Sequence, residues 1–355
     1  MARTVIHVPK SLDLPSALAF SIYLADVGVS DEFVFDFAQT GTVEPFPMLL
    51  VSSEIRRLVA RYPDAKTECA NFRHMSYAGH MGFFQAFGLD FGKAPGQAKG
   101  NSRYLPMKLL DCEALERSAA EKGNEVGDEV EGESKHIAAM LCGSDSGTVF
   151  ETLSYSVREM IRNVVEHSRA SQVGICAQLW PIMNRVEVAI LDRGIGVRES
   201  LLENPHIDPS DDKRAINYAL MPAVSGKAFK GSRRKQRGPW ANSGFGLYLT
   251  SRICRNGGNF FIASGRTGML LTTKSEGKRY FDCKFGGTAI RMVIRIDQVG
   301  DLRDVLEKYR NEGYLIQSRY KEIVSIDPSS ASLMLSEDFD LSVWEKLLLK
   351  LKRRS

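Results

Sequence analysis

Hydrophobic positions change period several times along the chain. Thr4 to Val8, Glu32 to Phe37 and Thr67 to Phe72 read as short strands. Between and after them, Pro15 to Leu24, Phe46 to Tyr62 and Met81 to Phe87 read as helices. The clearest of these is Phe46–Tyr62, where Met48, Leu49, Val51, Ile55, Leu58 and Val59 make an apolar stripe. This alternation predicts a small α/β domain over residues 1–90. Residues 91–148 read as a linker: 92–100 is rich in Gly, Lys and Pro, and 121–133 is acidic and Gly-punctuated, so it predicts a mobile or extended connection. Helical periodicity resumes over Val149–Ser168, with Phe150, Leu153, Val157, Ile161, Val164 and Val165 apolar. A strand follows at Arg185–Leu191, a helix running to Cys254, and a left-handed cap at Asn256-Gly257-Gly258. Then come a strand at Asn259–Ser264 and a Gly286-Gly287 turn entering a strand to Ile294. Residues 299–355 predict a helical extension, with helices at Leu302–Tyr309 and Phe339–Leu351. The second has Leu341, Val343, Trp344, Leu347, Leu348 and Leu351 apolar and is expected to pack on its own chain.

Candidate chemistry falls on this frame in three places. Glu159 and Asn163 lie at i and i+4, so both side chains leave one helix face a turn apart. A carboxylate there can orient or deprotonate a water, and an amide oxygen can ligate Mg²⁺. Asp192 ends the Arg185–Leu191 strand, and Gly194 and Gly196 let the backbone approach a flat ligand. Ser243-Gly244-Phe245-Gly246-Leu247 places two glycines before a helix, whose unpaired N–H groups and dipole suit a phosphate. Thr288 offers a hydroxyl to the same ligand or serves only as a β-branched strand residue. His167, at the end of the first helix, reads as a cation on the helix C-terminus.

The ordered set over residues 149–296 resembles the GHKL ATPase superfamily. Glu159 and Asn163 match its N box, Asp192, Gly194 and Gly196 its G1 box, Gly244 and Gly246 its G2 box, and Gly287-Thr288 its last box. Asn242 stands where the G2 box often carries a further glycine. The resemblance implies a Bergerat-type α/β sandwich domain at 149–298, a mixed sheet covered on one face by helices with Mg-ATP between. It implies Glu159 as general base or water-orienting group, Asn163 as Mg²⁺ ligand and Asp192 as adenine reader. Gly244 and Gly246 would line the phosphates, with Ser243, Phe245 and Leu247 as further nucleotide-binding candidates. It also implies an ATP lid over 197–241, where Lys227, Lys230, Arg233, Arg234, Lys235 and Arg237 would close on the triphosphate. The same basic cluster also suits a solvated loop or a nucleic-acid patch. The N-terminal residues Phe35-Asp36-Phe37 and Val43-Glu44-Pro45-Phe46 resemble the STAS-like fold of anti-anti-sigma factors. That family's phosphorylated serine would fall near Pro45-Phe46, so the resemblance implies a sensing or docking module without the phospho-switch.

Composition narrows the reading little. A net charge of +4 on 355 residues announces no nucleic-acid partner. Six scattered cysteines without a Cys-x-x-Cys pair indicate neither zinc nor a disulfide framework and suit a reducing cytoplasm. No apolar run is long enough to span a bilayer, and Met1–Pro9 lacks the basic-then-apolar layout expected of a signal peptide. The expected function is a Mg-dependent ATP-binding protein, a slow ATPase acting as a regulatory switch with a protein partner, and a homo-oligomer is compatible. The alternative is a protein kinase of the anti-sigma or histidine-kinase type. Residues 89–107 are Gly/Pro-broken and His136 lacks a following acid, which speaks against histidine autophosphorylation. The roughly sixty residues after Val299 are too few for a topoisomerase-type transducer domain.

Overall fold

The structure is a computed structural model and describes residues 2–227, 244–273 and 277–323, with side chains to 318. It is a mixed α/β fold. Strands β1 (Arg3–His7), β3 (Glu32–Asp36) and β5 (Lys66–Ala70) form a parallel sheet in the order β1-β3-β5, and the short β2 (Ser11–Leu12) and β4 (Thr42–Val43) pair beside it. The crossovers are α1 (Leu14–Asp26) and α2 (Pro45–Arg61). Asp13 starts α1 by accepting from the Ser16 N–H at 3.0 Å, and prolines sit in the first turn of both helices, where no N–H is missed. The expected helix at 81–87 is instead a short α3 (Ser76–His80) followed by turns and a 3₁₀ turn at Gln85–Phe87. Phe83, Phe84 and Phe87 are buried against one another there, in edge-on ring contacts, so packing rather than helical period decides the local path.

The second sheet is antiparallel throughout, in the order β6-β7-β8-β10-β9. Its strands are β6 (Tyr104–Asp111), β7 (Gln172–Trp180), β8 (Arg185–Asp192), β9 (Asn259–Thr272) and β10 (Lys278–Arg295). Both faces are covered, which differs from the mixed, one-face sheet the resemblance implied. Alternate side chains divide between two cores, as period-2 pleating requires. Val173, Ile175, Val186, Val188, Ile190 and Ile262 meet one set of helices, while Cys176, Ala189, Leu191, Phe261 and Ala263 meet α1 and α2 of the N-terminal unit. Phe46 of α2 contacts Phe261 edge-on at 5.4 Å, and truncating such a buried ring costs about 3–5 kcal/mol.

Residues 91–148 are not a mobile or extended connection. They supply edge strand β6 and two helices, α4 (Cys112–Lys122) and α5 (Val126–Cys142). In the acidic stretch one side of α5 is apolar: Val130, Ile137, Ala138 and Leu141 are buried in the core shared with α6 (Thr148–Asn163). The acids are held elsewhere, with Glu129 on Lys122, Glu133 on Lys108, and Glu131 on Lys135 and Arg158. Charge composition alone hides such a stripe. Gly286 and Gly287 likewise make no turn. They lie within β10, where the register slips between Phe285 and Thr288 and the strand bulges.

The remaining helices are α7 (Gly196–Leu201), α8 (Asp212–Ala219), α9 (Gly246–Arg255) and α10 (Leu302–Ile323), the last far longer than the expected Leu302–Tyr309. No helix among the described residues is long and apolar enough to cross a membrane. The lid residues 228–241 and the expected Phe339–Leu351 helix lie outside the described residues.

Candidate functional site

Helix α6 carries Tyr155, Glu159 and Asn163 at four-residue spacing and presents all three to one cavity of about 440 Å³. Past Asn163 the helix widens into a π-turn, Val164–Ser168, which brings His167 to the cavity as well. Wide turns of this kind gather at functional sites. The cavity also takes in Asp192 from the end of β8, Gly196 at the start of α7, Gly244, Phe245, Gly246 and Leu247 at the start of α9, and Thr288 of β10. Of the residues singled out in the sequence, Gly194 stands behind the wall, donating its N–H to Asp192 Oδ1 at 2.8 Å. Ser243 lies outside the described residues.

The two ends of the cavity differ in chemistry. At the inner end Asp192 is 2 % exposed, and burial pushes its pKa up from 3.8 to about 6. The Gly194 N–H and the backbone and hydroxyl of Thr288, its partner across the sheet, act in the opposite direction. Ile262 and Ile290, which line the cavity with it, keep this end apolar. A buried carboxylate on an apolar floor suits a flat ligand with a polar N–H donor.

At the outer end, Glu159 Oε1 accepts from Arg158 Nη2 at 2.9 Å, and its other oxygen faces Gly246. A Cβ at Gly246 would overlap that oxygen, so a larger residue where α9 starts would push the carboxylate out of its present position. The Asn163 amide makes no hydrogen bond among the described residues and lines the cavity between the two ends. Arg162 pairs with Glu166 at 2.6 Å, and Lys227 Nζ donates to the Glu166 carbonyl, which ties the base of the 197–241 segment to the π-turn. Ala223, in left-handed backbone at φ 62°, receives Gly244 by donating its N–H to the Gly244 carbonyl at 3.0 Å. The stem of that segment is thus fastened to the π-turn after α6 and to Gly244.

His167 is not the helix-terminal cation that its position suggested. Burial drives its pKa down to about 4, against the pull of Glu166, so the ring is neutral at physiological pH. The expected Leu302–Tyr309 helix also stops short of the part of α10 that reaches the cavity. Arg310 and Tyr314, one helical turn apart, line the cavity, and Tyr314 packs on Phe245 at 5.1 Å between ring centres. Gly313 lets α10 close on Phe245, Pro222 and Tyr248, since a Cβ there would lie 2.7 Å from the Phe245 ring. Local sequence could not reveal this. The i, i+4 pair of Arg310 and Tyr314 is visible, but nothing in the sequence says which surface that helix meets.

Among the described residues no group of three or more His, Cys, Asp or Glu is arranged to hold a metal. No protein-family model matches this chain, and no curated protein matches it either.

Proposed function

We propose that this protein binds ATP with Mg²⁺ and acts as a slow ATPase that switches state with its nucleotide. The observation that carries this reading is the convergence of Glu159, Asn163, Asp192, Gly244, Gly246 and Thr288, spread over 130 residues of chain, on one cavity with an acidic apolar end and an outer end at a helix N-terminus. These residues fit the group. Asp192 would accept from the exocyclic amine of adenine, and Thr288 would hold it beside the base. The α9 N-terminus and the Gly244–Leu247 backbone would receive phosphate. Mg²⁺ keeps several waters and shares phosphate oxygens, so Asn163 as one protein ligand matches its habits without an acidic cluster. The metal would supply charge neutralisation on the phosphates. Glu159 would hold and orient the attacking water, with Arg158 fixing the carboxylate's rotamer. On this reading the fold is of the Bergerat type with a STAS-like N-terminal unit, and a protein partner reads the lid.

The test is incubation of the purified chain with γ-labelled ATP and Mg²⁺, following released phosphate and labelled protein together. Phosphate release that is lost in Glu159→Ala, with ATP binding retained, supports the switch ATPase. Label on the chain or on an added partner moves the assignment to phosphoryl transfer. No ATP binding by the wild-type chain removes the reading altogether.

A further inference from the structure

We propose that Arg193 is a positioning residue through which helix α2 of the N-terminal unit sets the nucleotide affinity of the pocket; this rests on the ATP-binding reading above. At the end of β8 consecutive side chains point to opposite faces of the sheet. Asp192 therefore enters the cavity and Arg193 passes to the far side, where the N-terminal unit packs. There its guanidinium donates to Ser53 Oγ from Nε at 2.9 Å and from Nη2 at 2.7 Å, and Nη2 also meets Glu54 Oε1 at 2.7 Å. Nη1 donates to the Gly286 carbonyl at 3.3 Å, and the group lies 4.1 Å over the Phe285 ring.

These contacts surround the ligand-reading pair. Arg193 is the next residue after Asp192. Gly286 lies two residues before Thr288, inside the bulge of β10, and Thr288 pairs with Asp192 across the sheet. One guanidinium thus ties both chain segments that carry the inner end of the pocket to a single helix of the N-terminal unit. Glu54 is 3 % exposed, so water does not replace this bond cheaply when it breaks. Its Arg57 neighbour, at 3.2 Å, adds a second cation to the same carboxylate.

Helix α2 has a second polar anchor that serves as a built-in control. Glu44, at its start, pairs with Arg185 at 2.9 Å and Arg291 at 3.2 Å. Arg185 opens β8, about 23 Å along the strand from Asp192 at a rise of ~3.3 Å per residue, and Arg291 lies about 10 Å along β10 from Thr288, on the face packed against α2. Loss of the Glu44 anchor loosens the same helix without touching the inner end of the pocket. Because coupling free energies are reciprocal, nucleotide in the pocket also tightens the seat of α2.

The experiment uses the full chain and a fluorescent ATP analogue, with turnover measured alongside. Glu54→Gln and Arg193→Gln are each expected to weaken binding by about tenfold, within the usual range of site-to-site coupling. The double variant is expected to be no weaker than Arg193→Gln alone. The kcat of Glu54→Gln stays within about twofold while its KM rises, and nucleotide slows amide exchange in α2 of the wild type but not of Glu54→Gln. Ser53→Ala, a milder change, is expected to lose a few fold and keeps the test open if Arg193→Gln does not fold. Glu44→Gln is expected to lower stability and leave affinity unchanged. Wild-type affinity in Glu54→Gln, Arg193→Gln and Ser53→Ala, with the wild type binding well, overturns the inference and spares the pocket. Equal weakening by Glu44→Gln overturns it too, since the effect would then be general loosening. A wild-type chain that binds no nucleotide overturns both.

Discussion

The two faces of the five-stranded sheet handle buried charge in opposite ways. On the face toward the N-terminal unit, Glu187 is fully buried yet enclosed. Arg291 lies at 2.8 Å, Arg185 at 3.5 Å, the Phe46 N–H donates at 3.1 Å, and Glu44 and Asn259 also meet the arginines. On the pocket face, Asp192 is almost as buried but faces a cavity and has only backbone and hydroxyl donors around it. Asn163, which lines the same cavity, makes no side-chain hydrogen bond among the described residues. The charged groups on the first face are paired with one another inside the protein, although Arg185 Nε and Arg291 Nε make no hydrogen bond among the described residues. The polar groups on the second face line an open cavity, the arrangement expected of a binding surface rather than a structural one.

Substitutions can break that contrast, and the largest effect is expected on the closed face. Arg291→Ala leaves Glu187 buried with too little positive charge, and about 3–5 kcal/mol of stability should be lost in denaturant unfolding. Replacing Asp192 by Asn should do the reverse. Its pKa of about 6 in the fold, above 3.8 in a free chain, means that folding favours the protonated form. That stabilisation is complete below pH 3.8 and is lost as pH rises through about 6, so at neutral pH the ionised group opposes folding by about 3 kcal/mol. Asp192→Asn is therefore expected to raise the melting temperature at pH 7, with the gain vanishing at acid pH, while adenine nucleotide binds more weakly. If the pocket takes ATP as proposed, the same ionisation is expected to make wild-type affinity fall as pH drops below about 6, and Asp192→Asn should flatten that profile. A variant that loses stability and affinity together would place Asp192 with the closed face.

A smaller effect is expected at the outer end. Arg310 is exposed and lines the cavity, so Arg310→Ala should weaken ATP about tenfold, the scale of one charge-assisted hydrogen bond, and leave AMP unaffected. Equal losses for ATP and AMP would remove α10 from the phosphate end. The smallest effect belongs to the β7–β8 hairpin tip, where Ile182 is fully exposed. Ile182→Ser should change stability by no more than about 0.5 kcal/mol.

Much of the frame is legible along the chain because it is a local matter. The apolar stripe of α2, the pattern of β8 and the i, i+4 pairing of Glu159 with Asn163 follow from periods of 3.6 and 2, which short-range sterics impose on any chain. Gly246 is legible too, since a glycine before a helical pattern advertises a close approach, although only the fold names Glu159 as what approaches. The helical identity of the acidic 126–142 stretch was not legible. Its stripe is short, and the surface of α6 that buries it comes from elsewhere. Nor was the neutrality of His167, which depends on how much solvent the folded chain removes. Left to tertiary structure were the two-sided burial of the sheet, the seat of α2 against it, the passage of Arg193 to the far face and the arrival of Arg310 and Tyr314 at the cavity. Each depends on which surfaces meet across many residues of chain. Burial and desolvation are properties of those meetings, whereas periodicity and spacing are properties of the sequence itself.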